Sequence, residues 1–325
     1  MNHFLIFFIL HSSLLIAMLG CASVPRNPRA PSPQPFPPEL AAYYDYPRVP
    51  RQVTSRLLRE RFRYRETLVQ FPLAAEGFTP TEPTVEFEWF ESKESGRRPA
   101  ILFNPILGGD YPLERGMCRF FASHGFHVAL VHRRTLKVSP EKPVDHLELL
   151  LRQAVLRIRQ IVDWMEAHER VDPKRMGSFG LSMGGIATVM TAAVEPRLRV
   201  HVVALAGGPI ADIVTASHDK LLTKPLAKYL AQRHLDRAAF EHQLRAAVRT
   251  DPILLAPYVD SRRMLMVIAL ADRTIGVENA LRLWRALGRP QASFIPLGHY
   301  TSYLALPYLE YISLRFFKQH LETLE

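Results

Sequence analysis

The chain changes its hydrophobic rhythm several times. Residues 64–73 (YRETLVQFPL) and 84–92 (TVEFEWFES) alternate apolar and polar positions and are rich in β-branched and aromatic residues, which predicts two half-buried strands. Residues 99–109 (PAILFNPILGG) are a short apolar run with a Gly-rich end, as expected of a strand buried on both faces. A helical stretch over 113–125 stops at Gly125, and 126–134 (FHVALVHRR) reads as another strand. Over 145–169 the period lengthens: Leu147, Leu150, Leu151, Ala154, Ile158, Ile161, Val162 and Met165 recur at helical spacing. Further strands are predicted at 175–180, 199–208, 263–272 and 291–297, with helices at 186–194, 276–288 and the C-terminal end. Strands alternating with helices imply an α/β protein with a mostly parallel sheet flanked by helices on both faces.

Upstream the pattern differs. Phe4 to Leu19 is apolar, interrupted by His11, Ser12 and Ser13, and it ends in MLGC followed by Ala22 and Ser23. The run is short for a membrane span and suits the core of a signal peptide. It resembles a bacterial lipoprotein signal, with Gly20 at the cleavage position and Cys21 as the lipidated residue. That resemblance implies a signal peptide over 1–21, acyl chains on Cys21 and a membrane-anchored protein of the cell envelope, facing periplasm or exterior. Each buried methylene contributes about 0.8 kcal/mol, so several chains hold a protein firmly. An ordinary secretion signal and an uncleaved anchor containing Cys21 are the alternatives.

Residues 22–50 carry nine prolines, which predicts an extended linker between the anchor and a domain over 51–325. Seven arginines between Arg48 and Arg65 read either as a solvated face of a first helix, partly balanced by Glu60 and Glu66, or as an attraction for anionic polymer.

The net charge of +10 points to an anionic surface, but no nucleic-acid-binding motif or zinc-finger spacing accompanies it, so no nucleic-acid partner is expected. The 48% hydrophobic content is enough for a sizeable core. Of the two cysteines, Cys118 falls in a helical stretch and reads as a buried apolar residue. Neither a Gly-rich phosphate loop nor a Cys/His metal spacing is present, so no metal and no organic cofactor is expected.

Candidate chemistry lies in Gly180-Leu181-Ser182-Met183-Gly184, a G-x-S-x-G pattern between a predicted strand and a predicted helix. A sharp turn there lifts the serine hydroxyl above the sheet and leaves no room for side chains at Gly180 and Gly184. The stretch VDPKRMGSFGLSMGG resembles the nucleophile elbow of the α/β-hydrolase superfamily, especially its dienelactone-hydrolase-like and prolyl-oligopeptidase-like esterases. The resemblance covers most of residues 80–325 and implies an α/β-hydrolase fold.

That family orders its triad serine, acid, histidine along the chain. Asp272 ends the apolar run MLMVIALAD, and His299 follows the strand SFIPL through Gly298. By resemblance, Ser182 is the nucleophile, His299 its base and Asp272 the orienting acid. Asp251 and Asp260 are rivals for the acid role. The oxyanion hole needs two backbone donors. Met183 is expected to supply one, and Ile106 the other, with Leu107 as the alternative, because Pro105 has no N–H. Residues 209–250 are helical in composition and by resemblance form a cap, with Leu221, Leu222, Leu226, Tyr229 and Leu230 as candidates to line a pocket.

The expected reaction is cleavage of a small-molecule carboxylic ester through an acyl-enzyme. Acyl transfer and peptide hydrolysis use the same triad. A catalytically silent scaffold and a structural lipoprotein that binds envelope polymer are the non-enzymatic alternatives.

Overall fold

The computed structural model describes residues 21–49, 52–108, 110–133 and 143–322. One ten-stranded sheet organises them, in the order β1-β10-β9-β8-β7-β5-β6-β4-β3-β2. Its strands are β1 (Ala22–Val24), β2 (Thr54–Glu60), β3 (Tyr64–Pro72), β4 (Thr84–Ser92), β5 (Arg98–Asn104), β6 (His127–Val131), β7 (Val171–Leu181), β8 (Leu198–Ala204), β9 (Met264–Ala269) and β10 (Gln291–Ile295). Strands β5 to β10 run parallel, and β1 and β4 are antiparallel additions on either side of them. Helices cover both faces, as the α/β pattern requires.

Alternation along the central strands sorts the core into two layers. Ala100 and Leu102 of β5 join the cluster under the long helix Pro143–Ala167, which holds Leu151, Val155, Ile158 and Val162. Ile101 and Phe103 turn the other way and pack with Met117, Cys118 and Phe121 of the helix Pro112–Ser123 and with Phe316 and Phe317 of Leu306–Phe317. Cys118 is buried there as a small apolar group.

Two expectations are corrected. The first is the extended linker over 22–50, whose described residues lie against the domain. Ala22–Val24 pairs antiparallel with β10, Pro38–Tyr43 forms a short helix, and Gln34 donates its N–H to the Pro257 carbonyl at 2.9 Å. The reason is aromatic burial: Tyr44 and Tyr46 are buried, and Tyr46 donates to Asp163 Oδ2 at 2.9 Å. Proline permits both new elements, since Pro38 sits in the first helical turn and β1 lies at a sheet edge. The second concerns the arginine-rich stretch read as one face of a first helix. It builds β2 and the start of β3, an edge hairpin in which every residue of β2 is exposed. Arg59 pairs with Glu66, and Arg65 with Glu60, across the hairpin.

Residues 1–20 and residue 50, where the expected signal and the end of the linker fall, lie outside the described residues. Among the described residues, no helix is long and apolar enough to cross a membrane.

Candidate active site

Strand β7 ends at Leu181 and the helix Met183–Val194 begins one residue beyond Ser182. The chain reverses within that single residue, at φ 56° and ψ −120°. A non-glycine residue held there costs on the order of 1–3 kcal/mol, and surrounding structure must hold it. Ser182 donates its N–H to the Ala204 carbonyl at 2.8 Å, and Ile186 donates to the Ser182 carbonyl at 3.1 Å. The flanking glycines answer to contact. A Cβ at Gly180 would meet the Gly184 carbonyl and Thr188 Oγ1, and one at Gly184 would meet the carbonyl oxygens of Asn104 and Pro105.

Ser182 Oγ lies 2.9 Å from His299 Nε2. On the far side of the ring, His299 Nδ1 lies 2.7 Å from Asp272 Oδ2. With the Nδ1 proton donated to that carboxylate, the Nε2 lone pair is left to accept from the serine hydroxyl. Asp272 is buried and positioned by the loop after β9: its Oδ1 accepts from the Thr274 and Ile275 N–H groups at 2.8 and 2.9 Å. The rival acids are occupied elsewhere. Asp251 caps the turn Pro252–Leu255, accepting from Ile253 at 2.8 Å and from Ile210 at 2.7 Å. Asp260 pairs with Arg262 at 2.6 Å.

The loop after β5 forms the opposite wall. Asn104 is buried and donates Nδ2 to Thr188 Oγ1 at 3.0 Å, tying this loop to the helix behind the serine. The Arg133 guanidinium donates to the carbonyls of Pro105 and Ile106, the latter at 2.8 Å. In a trans peptide the N–H points opposite to its carbonyl. Gripping these carbonyls therefore turns the N–H groups of Ile106 and Leu107 away from Arg133. The expectation of an open Ile106 N–H is corrected, because that group donates to Glu114 Oε1 at 3.2 Å. Glu114 is itself buried, at the start of the helix Pro112–Ser123. Among the described residues no acceptor takes the N–H of Leu107 or of Met183. Glu114 and Arg133 escaped sequence reasoning because nothing local separates them from surface charges.

A cavity of about 950 Å³ opens beside Ser182 and His299. Leu147 and Leu151 of the long helix line it, together with residues of the segment over 209–250. That segment folds as three helices, Ile210–Ala216, Lys220–Arg233 and Arg237–Ala247. Of the lining candidates in the cap, Leu222, Leu226 and Tyr229 face the cavity, Leu230 packs into the core, and the side chain of Leu221 lies outside the described residues. Tyr300, next to His299, donates its hydroxyl to Asp219 at the start of the middle cap helix. Burial, then the Asp219 carboxylate, pushes this phenol up to about 12, so it stays a donor at neutral pH. Among the described residues no cluster of His, Cys, Asp and Glu could hold a metal ion.

A parallel sheet with a serine on a strained strand-to-helix turn, and acid and histidine on later loops, defines an α/β-hydrolase. Within that superfamily the chain belongs to the prolyl oligopeptidase family, whose pattern matches residues 115–297. A Mycobacterium tuberculosis protein described as uncharacterised is 27% identical over 150 residues, 45% of this chain and 33% of its own. The polyketide transferase grgF of a Penicillium species is 26% identical over 121 residues, 36% of this chain and 39% of its own. The chain thus spans well under half the length of the curated relatives it matches. The acetyl xylan esterase of Paenibacillus sp. R4 superposes with a TM-score of 0.68 at 17% identity, over 87% of this chain and 93% of that one, a likeness of fold. Family and fold together place the chain among the α/β-hydrolases.

Proposed function

We propose that this protein is a serine hydrolase of small-molecule carboxylic esters, held in the bacterial cell envelope by a lipid anchor at Cys21. The relay of 2.9 and 2.7 Å from Ser182 through His299 to Asp272, with its serine end facing an apolar cavity, carries the reading. Ser182 Oγ attacks the ester carbonyl while His299 Nε2 takes its proton. The oxyanion is held by the N–H groups of Met183 and Leu107. The tetrahedral adduct collapses, the C–O bond to the alcohol breaks, and His299 returns the proton to the leaving oxygen. Water then attacks the acyl-serine, gives its proton to His299, and the acid leaves as Ser182 is reprotonated. No metal or organic cofactor enters these steps.

The test is covalent labelling with a fluorophosphonate probe, read by intact mass, beside Ser182→Ala. One adduct on the parent and none on the folded variant is the expected result; no adduct on a folded parent overturns the reading. The anchor is tested separately: Cys21→Ser releases the protein from membranes, and unchanged partition removes the lipidated cysteine. The name of one relative, a polyketide transferase, gives acyl transfer a specific claim. Added alcohol acceptors that divert the acyl group from water would favour it.

A further inference from the structure

We propose that the catalytic end of the molecule docks on an anionic lipid bilayer and takes its substrate, an ester with a long acyl chain, from that bilayer. The proposal rests on the ester-hydrolase reading. Three observations converge on one end of the sheet. The first is an exposed apolar rim. Leu107, Leu113, Leu270, Tyr300, Tyr303 and Leu304 are 40% to 62% exposed. All follow the carboxyl ends of β5, β9 or β10, the end at which Ser182 and His299 sit. Four of them, Leu107, Leu113, Tyr300 and Tyr303, also line the cavity, so rim and cavity form one continuous apolar path. Scattered exposed leucines mean little, but exposed apolar side chains gathered at the end of the sheet that carries a site mark an interaction surface.

The second observation is charge. Lys220, Lys224 and Lys228 lie at i, i+4 and i+8 on the middle cap helix, are exposed, and make no ion pair among the described residues. Such spacing puts them on one helix face. Lys228 borders the cavity, so the basic stripe lies at its mouth. Lysines there suit anionic headgroups while the leucines and tyrosines enter the acyl boundary.

The third is where the chain enters. β1 pairs antiparallel with β10, with Ala22 opposite Phe294, which pins Cys21 beside the carboxyl end of β10. The Cys21 thiol is within hydrogen-bond reach of the Tyr308 hydroxyl, and Tyr308 lines the cavity. A lipidated Cys21 and a retained apolar anchor over Phe4–Leu19 both bring the bilayer to this point. With residues 22–49 folded onto the domain, they do not act as a spacer that lifts the site away from the bilayer. A cavity of about 950 Å³ walled by leucine and isoleucine then accepts a chain drawn from the lipid phase.

The hairpin tip at Phe62 is the internal control. Phe62 is 93% exposed, the most exposed large apolar side chain among the described residues, yet it sits at the other end of the sheet. Tyr64 pairs with Ser92, and β4 runs antiparallel to β6, which places the tip at the amino ends of the parallel strands.

The full chain is reconstituted in phosphatidylethanolamine and phosphatidylglycerol vesicles carrying umbelliferyl oleate. An environment-sensitive thiol label is placed through Leu304→Cys or Phe62→Cys, with the parent chain giving the Cys21 background. The label at 304 is expected to shift to the blue and be quenched by brominated lipid, and the label at 62 to remain in water. Leu270→Asp with Leu304→Asp, and separately Lys220→Glu with Lys224→Glu, are expected to lower vesicle-borne oleate hydrolysis by roughly tenfold. Hydrolysis of soluble p-nitrophenyl butyrate stays within about twofold of the parent, which also reports folding. A label at 304 as wet as that at 62, or vesicle hydrolysis unmoved by either pair, overturns the proposal. Insertion without oleate hydrolysis overturns the substrate class. A parent that neither hydrolyses butyrate nor takes the fluorophosphonate overturns the ester-hydrolase reading instead.

Discussion

Two serine–histidine pairs have serines four residues apart, one on β7 and one just past its end, and only one pair has the surroundings of a catalytic device. Ser178 Oγ lies 2.8 Å from His201 Nδ1, as close as Ser182 lies to His299. Ser178 and His201 are both buried, on the adjacent strands β7 and β8. No carboxylate hydrogen-bonds His201 among the described residues, and burial pushes it down to about 4 despite the attraction of Asp260. It is a neutral imidazole hydrogen-bonded to a buried hydroxyl. His299 has a buried carboxylate on its second nitrogen, and its serine stands on a strained turn facing a cavity. The difference teaches that the contact itself is ordinary. An acid to stabilise imidazolium, a backbone that exposes the hydroxyl and room for a substrate make it chemical.

The comparison can be broken most sharply at the serines. Ser182→Ala is expected to lower kcat for an activated ester by roughly 10⁴-fold or more, with an unchanged melting curve. Asp272→Asn comes next, with a loss of roughly 10³- to 10⁴-fold, because the amide favours the wrong tautomer of His299. Ser178→Ala should do the reverse. Activity stays within about twofold, while stability falls by about 1–3 kcal/mol because the buried Nδ1 of His201 loses its hydrogen-bond partner, as urea unfolding would measure. Equal losses of activity from both serine variants would dissolve the contrast.

A pH series sharpens it further. His201 and His127 are both held down at about 4, chiefly by burial, whereas an ordinary imidazole titrates near 6.5. Between those values the unfolded chain binds more protons than the folded one, so stability is present above 6.5 and is lost as pH falls toward 4. His132 acts in the opposite sense: burial lowers it, but hydrogen bonds that the charged ring donates to the Glu88 and Glu86 carboxylates outweigh this and raise it, so its contribution fades as pH rises. The urea midpoint should therefore fall on acidification from neutrality, and an NMR titration should find His201 still neutral at pH 5.5.

Much of this was readable along the chain. The strand predicted over 84–92 is β4 residue for residue, and the long helix expected at 145–169 spans Pro143–Ala167. Long segments with one period declare themselves because each residue faces the same environment as its neighbour two or four places away. The turn at Ser182 was equally legible, since its glycines are demanded by local sterics. What failed was short or charged. β2 carries arginines on an edge where nothing buries them, so it has no strand rhythm, and β1 has only three residues.

The sequence by itself determined the α/β alternation and the sharp serine turn, because local periodicity and backbone sterics encode them, while the chain order of serine, acid and histidine was implied by the resemblance to the α/β-hydrolases. Only the tertiary structure decided that Asp272 rather than Asp251 or Asp260 meets His299, that Glu114 holds the Ile106 N–H, and that Cys21 emerges beside the cavity. Each of those depends on contacts between residues far apart in the chain, made or refused by the packing of a whole sheet, and no local pattern carries that information.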